Sequence, residues 1–190
     1  MLAAPAFWFL RHGETDWNAR NLSQGSVDIP LNGTGIAQAH RAAAALVGVG
    51  IASIVSSPLG RARATADIVA ATLALPTLIE PDLREVAFGV QEGQDMGAWF
   101  ADWIHGRSTP EGAEPFAALR ARAVTALGRA LARPAPVLVV AHGALFRALR
   151  AEMGLSPEVR TPNGEPLFCR PPAAGDSAWT LLADSKVSER

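Results

Sequence analysis

Tyrosine is absent from the chain, lysine occurs once, at Lys186, and cysteine once, at Cys169. A single cysteine excludes a disulfide framework or a cysteine-rich zinc site within one chain and suits a reducing cytoplasm, the expected location. No stretch approaches the roughly 18 uninterrupted apolar residues of a membrane span. The opening Met1-Leu2-Ala3-Ala4-Pro5 lacks the basic start of a secretory leader. An excess of either charge is also missing: Lys+Arg 17 against Asp+Glu 18 leaves a net charge of -1, which speaks against nucleic acid as a partner. The preference for arginine over lysine is read as genomic base composition rather than as a sign of phosphate recognition.

What is present is an ordinary globular composition, 190 residues and 49% hydrophobic, enough for a single α/β domain over residues 1–190. Two stretches stand out. Ala6-Phe7-Trp8-Phe9-Leu10-Arg11-His12-Gly13 and Val137-Leu138-Val139-Val140-Ala141-His142-Gly143 are apolar runs that both end in His-Gly. Each reads as a buried strand whose carboxyl end opens into a loop, the place where open α/β sheets keep their ligands. If the two strands are parallel neighbours, about 4.8 Å apart, both imidazoles emerge side by side.

Helical spacing is expected over residues 34–47, from about residue 60 to 73, over 115–133 and over 144–153, with strands at 51–55 and 75–79. Residues 16–25 lack helical periodicity and read as a loop over the first strand end. Residues 96–105 read as a short helix whose aromatic stripe, Trp99, Phe100 and Trp103, is core or else a lid over the site. Arg120, Arg122, Arg129 and Arg133 read as a solvated helix face, and His40 and His105 as surface residues. Residues 167–169 and 179–182 suit a final antiparallel pair. Strands alternating with helices imply a three-layer α/β sandwich, with a largely parallel central sheet and helices on both faces.

Arg61, like the two histidines, stands just past a strand end. Two imidazoles and two guanidiniums make a cationic pocket suited to a dianion, with Arg11 and Arg61 able to clamp a phosphoryl group. Neutral imidazole is a competent nucleophile. A carboxylic acid would still have to protonate the leaving oxygen, and position alone leaves Glu14 and Glu85 both open, although Glu14 fits a loop cap or pair and Glu85 an ion pair with Arg84 or Arg61. Two histidines and a carboxylate could also bind a metal.

Four landmarks in order are Leu10-Arg11-His12-Gly13-Glu14-Thr15-Asp16-Trp17-Asn18, Ser56-Ser57-Pro58-Leu59-Gly60-Arg61-Ala62, Leu83-Arg84-Glu85 and Ala141-His142-Gly143. Together they resemble the histidine phosphatase superfamily, also called phosphoglycerate mutase-like, over residues 6 to about 182. The resemblance implies that fold. It implies His12 as a phosphorylated nucleophile, Arg11, Arg61 and His142 as phosphoryl ligands, and Glu85 as general acid and base. Asn18, Gln24 and Gly25 match substrate-bordering positions, and Asn163 is a further pocket-lining candidate. No metal and no cofactor are implied. The implied partner is a small phosphorylated metabolite, and a homodimer is one assembly left open. Ala141 and Ala144 replace a frequent Ser and Gly without removing a reacting group. The segment from Glu85 to His142 is short beside that of cofactor-dependent mutases, and a tyrosine used there is missing. A phosphomonoester hydrolase is therefore expected ahead of a phosphoglycerate mutase, and both ahead of a noncatalytic phospho-ligand binding module.

Overall fold

In the computed structural model, which describes residues 2–173 and 175–183, both His-ending runs are strands buried along their whole length. The order of elements is β1 (Phe7–Arg11), α1 (Asp16–Ala19), α2 (Gly33–Ala45), β2 (Ser53–Ser56), α3 (Gly60–Leu73), β3 (Thr77–Ile79), α4 (Ala98–Ile104), α5 (Phe116–Leu131), β4 (Val137–Ala141), α6 (Gly143–Glu152), β5 (Pro166–Arg170) and β6 (Thr180–Ala183). They build a six-stranded sheet of order β3-β2-β4-β1-β5-β6. β1, β2, β3 and β4 are mutually parallel, β5 runs antiparallel to β1, and β6 antiparallel to β5.

The alternation of side chains along a strand divides the core in two. Phe7 and Phe9 of β1 and Val137, Val139 and Ala141 of β4 face α5 and α6, meeting Leu119, Ala123, Leu127, Leu145, Phe146 and Leu149. Trp8, Leu10, Leu138 and Val140 face the other way, onto Ala42 and Ala43 of α2 and Ala66, Val69 and Ala70 of α3. Small alanines let α2 and α3 lie close on that face. On the opposite face Phe9 stacks on Phe146, with ring centroids 3.9 Å apart, which locks α6 onto the strand that ends in His12.

The expected elements are all present, with ends shifted by a residue or two. One difference lies in residues 16–25, expected as loop, where Asp16–Ala19 forms a single helical turn. Its cause is a capping box: the Thr15 hydroxyl accepts the Asn18 N–H while the Asn18 amide oxygen accepts the Thr15 N–H. A second difference is Arg122, expected on a solvated face but only 11% exposed. It holds Glu114 with Nε and Nη2 at 2.9 and 2.6 Å, and its Nη1 donates to the carbonyls of Asp82 and Arg84 at 2.8 and 2.9 Å. One guanidinium thus fastens α5 to the turn that carries Glu85. The aromatic stripe is mostly core: Trp103 is fully buried, and Phe100 packs beside it at 5.4 Å.

The loop after His12 is fixed by backbone contact with α2. Asn32 caps that helix, its side-chain oxygen accepting the Gly35 N–H at 2.8 Å. A Cβ on Gly35 would lie 2.1 Å from the Glu14 carbonyl oxygen, and one on Gly13 2.3 Å from the Gly35 carbonyl oxygen. Two glycines therefore allow a contact that no other residue permits. Gly35→Ala is expected to destabilise the fold by about 1–3 kcal/mol, since backbone must move to admit the methyl. Urea denaturation checks this, and an unchanged midpoint would refute the close-approach reading.

Candidate active site

The register of β1 on β4 pairs Arg11 with Ala141, and the His12 N–H donates to the Ala141 carbonyl at 3.0 Å. The two strand ends are therefore level, and the His12 and His142 rings stand 5.2 Å apart between centroids. A cavity of about 230 Å³ opens over them, lined by Arg11, His12, Asn18, Gln24, Gly25, Arg61 and Glu85 among others. His142 lies behind this lining, wholly buried.

His12 Nδ1 is 2.7 Å from the Gly13 carbonyl oxygen. A carbonyl only accepts, so Nδ1 carries the proton and Nε2 the lone pair. Burial, then the charges of Arg61 and Arg11, push the His12 pKa well below its ordinary value, against the opposing hydrogen bond to Gly13. Burial and Arg61 push His142 the same way, with smaller effects from His12 and Arg11. Both rings are therefore neutral at neutral pH. His142 Nε2 lies 2.6 Å from the Ser57 hydroxyl, which already accepts the Leu59 N–H at 3.2 Å. In the tautomer where the Ser57 hydroxyl donates to Nε2, the His142 proton lies on Nδ1.

That Nδ1 is buried without a protein partner, as are Nε of Arg11 and Nε of Arg61. Buried donors are normally paired, so these three nitrogens, with His142 in that tautomer, are open to an acceptor such as an anion. Arg61 Nη1 and Nη2 are tied down on the carbonyls of Val27 and Gly25, and Arg11 Nη1 on that of Thr161, each at 2.8 Å, whereas Arg11 Nη2 has no hydrogen-bond partner among the described residues. Asp28 approaches Arg61 at 3.7 Å. Burial, followed by the charge of Arg160, lowers the Arg11 pKa to about 10. Each His-Gly glycine has its own reason: a Cβ on Gly143 would crowd Arg11 Nε at 3.2 Å.

Glu85 is buried against the N-terminus of α6. Its Oε1 accepts the N–H groups of Val86 and Leu145 at 3.1 and 2.9 Å, and Oε2 that of Ala144 at 2.9 Å. The positive end of the helix steadies the carboxyl, and Oε2, with one donor, has room for a proton. Glu14 takes no part in the cavity: it accepts from Asn32 Nδ2 at 3.0 Å, outside the lining. Asn18 lines the cavity, its oxygen used by Thr15 and Asn163 and its NH2 unpartnered among the described residues. Gln24 is buried with an unpartnered amide oxygen, and the Gly25 carbonyl is a rest for Arg61.

One expected lining residue is corrected. Asn163 is not among the lining residues; its Nδ2 donates to the His12 carbonyl at 2.8 Å and to Asn18 Oδ1 at 3.3 Å, so it braces two residues that are. Residues not foreseen are Arg147, Arg160, Thr161 and Phe88; Phe88 forms an apolar wall with Met96 and Phe100 of the segment 96–105, whose sequence reads as core or lid. Arg147 was findable, since it follows Gly143 by four residues and so shares its helix face. Arg160 and Thr161 lie in irregular backbone, where periodicity carries no signal. Among the described residues no three His, Cys, Asp or Glu side chains gather to hold a metal, and no helix is long and apolar enough to cross a membrane.

A family model described as histidine phosphatase superfamily (branch 1) matches residues 7–161. The "Probable phosphoglycerate mutase GpmB" of Yersinia enterocolitica is 38% identical over 163 residues, covering 79% of this chain and 75% of that one. Among solved structures, a mycobacterial glucosyl-3-phosphoglycerate phosphatase in complex with VO3 superposes with a TM-score of 0.80 at 28% identity, over 95% of this chain and 98% of that one. A structure called mycobacterial hydrolase 1 gives 0.77 at 28%, over 95% and 97%.

The depressed histidine pKa values make stability depend on pH. In the unfolded chain both rings protonate near pH 6.5, whereas in the fold they stay neutral, so the unfolded state binds more protons as pH falls. Stability is full above about pH 7 and declines below about 6.5 at up to two protons, or about 2.7 kcal/mol per pH unit. Urea titrations at pH 7.5 and 5.5 measure the difference, and equal stabilities would show that the rings are not held neutral.

Proposed function

Since the chain belongs to the histidine phosphatase superfamily, we propose that it is a hydrolase that cleaves a small phosphomonoester through a phosphohistidine on His12. The observation that carries this reading is that Arg11 and Arg61 line one cavity with a neutral His12, that the His142 ring stands 5.2 Å behind it, and that Nε of each arginine and Nδ1 of His142 are buried without protein partners.

In the proposed reaction the His12 Nε2 lone pair attacks phosphorus in line, and the ester P–O bond breaks as the N–P bond forms. The three donors take the phosphoryl oxygens, with the Asn18 amide as a fourth; their charge and dipoles are fixed before the reaction, which is what lowers the barrier. The departing alkoxide takes a proton from Glu85 Oε2. The Glu85 carboxylate then removes a proton from water as its oxygen attacks phosphorus, the N–P bond breaks, and inorganic phosphate leaves. Arginine supplies the positive charge that a divalent cation supplies elsewhere, so no metal or cofactor enters this scheme. Cys169, fully buried, fits an enzyme of the reducing cytoplasm, with a small phosphorylated metabolite as its partner.

A second reading, phosphoryl transfer between the hydroxyls of phosphoglycerate, has the mutase name of the 38% identical relative in its favour. The two share His12 and differ in whether water or a second hydroxyl receives the phosphoryl group. Supporting hydrolysis is the short run from Glu85 to His142, whose described residues put apolar Phe88, Met96 and Phe100 on the cavity wall.

Incubation with a panel of phosphate esters in EDTA is expected to release inorganic phosphate and to leave an acid-labile phosphoprotein on rapid quenching. Conversion of 3-phosphoglycerate into 2-phosphoglycerate without phosphate release would decide for the mutase. His12→Ala should lose at least a thousandfold in turnover while keeping its far-ultraviolet spectrum. Glu85→Gln should slow alkyl phosphates about a hundredfold or more, and p-nitrophenyl phosphate, whose leaving group needs little protonation, much less. Equal losses on both esters would remove Glu85 from the acid role.

A further inference from the structure

The segment 160–164 is clamped to the end of β1. The Thr161 carbonyl accepts from Arg11 Nη1 at 2.8 Å, the Gly164 N–H donates to the Arg11 carbonyl at 3.0 Å, and Asn163 Nδ2 donates to the His12 carbonyl at 2.8 Å. The residues just before it are held from α6, because Arg147 Nη1 donates to the carbonyls of Pro157 and Glu158. Arg147 itself lies over the Phe100 ring, 5.1 Å from its centroid. Arg160 therefore stands on a braced backbone at the mouth of the cavity, which its side chain lines.

Arg160 differs from the other cavity arginines. Arg11, Arg61 and Arg147 each rest at least one nitrogen on backbone carbonyls, whereas Arg160 is exposed and forms no hydrogen bond or ion pair among the described residues. Glu158, the acidic residue nearest in sequence, is engaged by His105 at 2.8 Å. Holding Arg160 near Arg11 and Arg147 brings like charges together, and its charge depresses the pKa of both. Neutral or apolar substrate groups at that spot would leave the repulsion in place. An anion would relieve it.

We propose that Arg160 is a specificity residue that binds a carboxylate on the leaving-group side of the phosphoester, so that preferred substrates carry a second anionic group besides the phosphate. This rests on the cavity being the phosphoester site argued above. A planar guanidinium with free donors matches a carboxylate in two-point contact. Phe88, Met96 and Phe100 cover the stretch between the two charged ends.

The test uses a matched pair, 3-phosphoglycerate and glycerol 3-phosphate, which differ only in a carboxylate against a hydroxymethyl group. Calorimetry on His12→Ala, where no bond is cleaved, is expected to show 3-phosphoglycerate binding about tenfold more tightly. Adding Arg160→Gln should erase that preference and leave glycerol 3-phosphate within twofold. Equal affinities before the second substitution, or an equal loss for both esters after it, would overturn the proposal, the latter by showing only general attraction of anions. The intact enzyme provides a second readout, the ratio of kcat/KM for the two esters before and after Arg160→Gln. Absence of any phosphate release would strike the hydrolase reading while leaving the affinity ratio to judge Arg160.

Discussion

Two uncharged imidazoles and two charged guanidiniums are buried together at the ends of adjacent strands, and their donors exceed the acceptors that the protein supplies. This surplus is the constraint on which the rest of the structure depends. Burying a charged group without a partner is expensive. The chain limits that expense in two ways: it keeps His12 and His142 neutral, and it rests the guanidiniums on backbone carbonyls, that of Thr161 for Arg11 and those of Val27 and Gly25 for Arg61. What it leaves both buried and unpaired is Nε of Arg11, Nε of Arg61 and Nδ1 of His142. Those three donors therefore act as a preformed complement to a tetrahedral anion rather than as a packing defect.

Supporting such a site requires rigid surroundings more than many contacts. β1 and β4 are held in register by the sheet and covered on both faces by helices. The loop after His12 is pinned from three sides: α2 presses Gly35 against it, Thr65 of α3 accepts the Gly13 N–H at 3.0 Å, and Asn163 holds the His12 carbonyl. Thr65 in turn donates to the Arg61 carbonyl at 2.8 Å, so the loop after His12 and the first turn of α3 share one hydroxyl. Positional errors are costly in phosphoryl chemistry, where catalysis is almost entirely alignment and fixed charge.

Much of this was legible in the sequence because strand ends announce themselves. An apolar run stopping at Arg11-His12-Gly13, another at Ala141-His142-Gly143 and a third before Arg61 placed the three clusters at one edge without any coordinates. The strands and helices followed from period. What escaped the reading was held by contacts that have no period. The helical turn Asp16–Ala19 depends on a reciprocal Thr15–Asn18 cap in which Asn stands where Glu or Gln would signal it. Arg122 looked solvated because helical spacing gives a face but not what lies across from it. Asn163 is near the site as expected, yet its amide is spent on the His12 carbonyl and on Asn18 rather than on the cavity.

Helix α6 shows how tightly chemistry and fold are joined here. His142 is its N-cap residue and Gly143 gives Arg11 room. Ala144 and Leu145 offer their N–H groups to Glu85, Phe146 stacks on Phe9, and Arg147 holds the backbone that leads to Arg160. Six consecutive residues thus each fix a different part of the cavity. The first four helical N–H groups have no partner within a helix, and here two of them are satisfied by the carboxyl proposed to move protons. The same hydrogen bonds that complete the helix therefore set where that carboxyl sits. Glu85 cannot be displaced without unpairing the start of α6, and α6 cannot slide without shifting His142 and the seat beside Arg11. Helix end and proton-transfer group are stabilised by one interaction, which ties the geometry of the site to the integrity of the core.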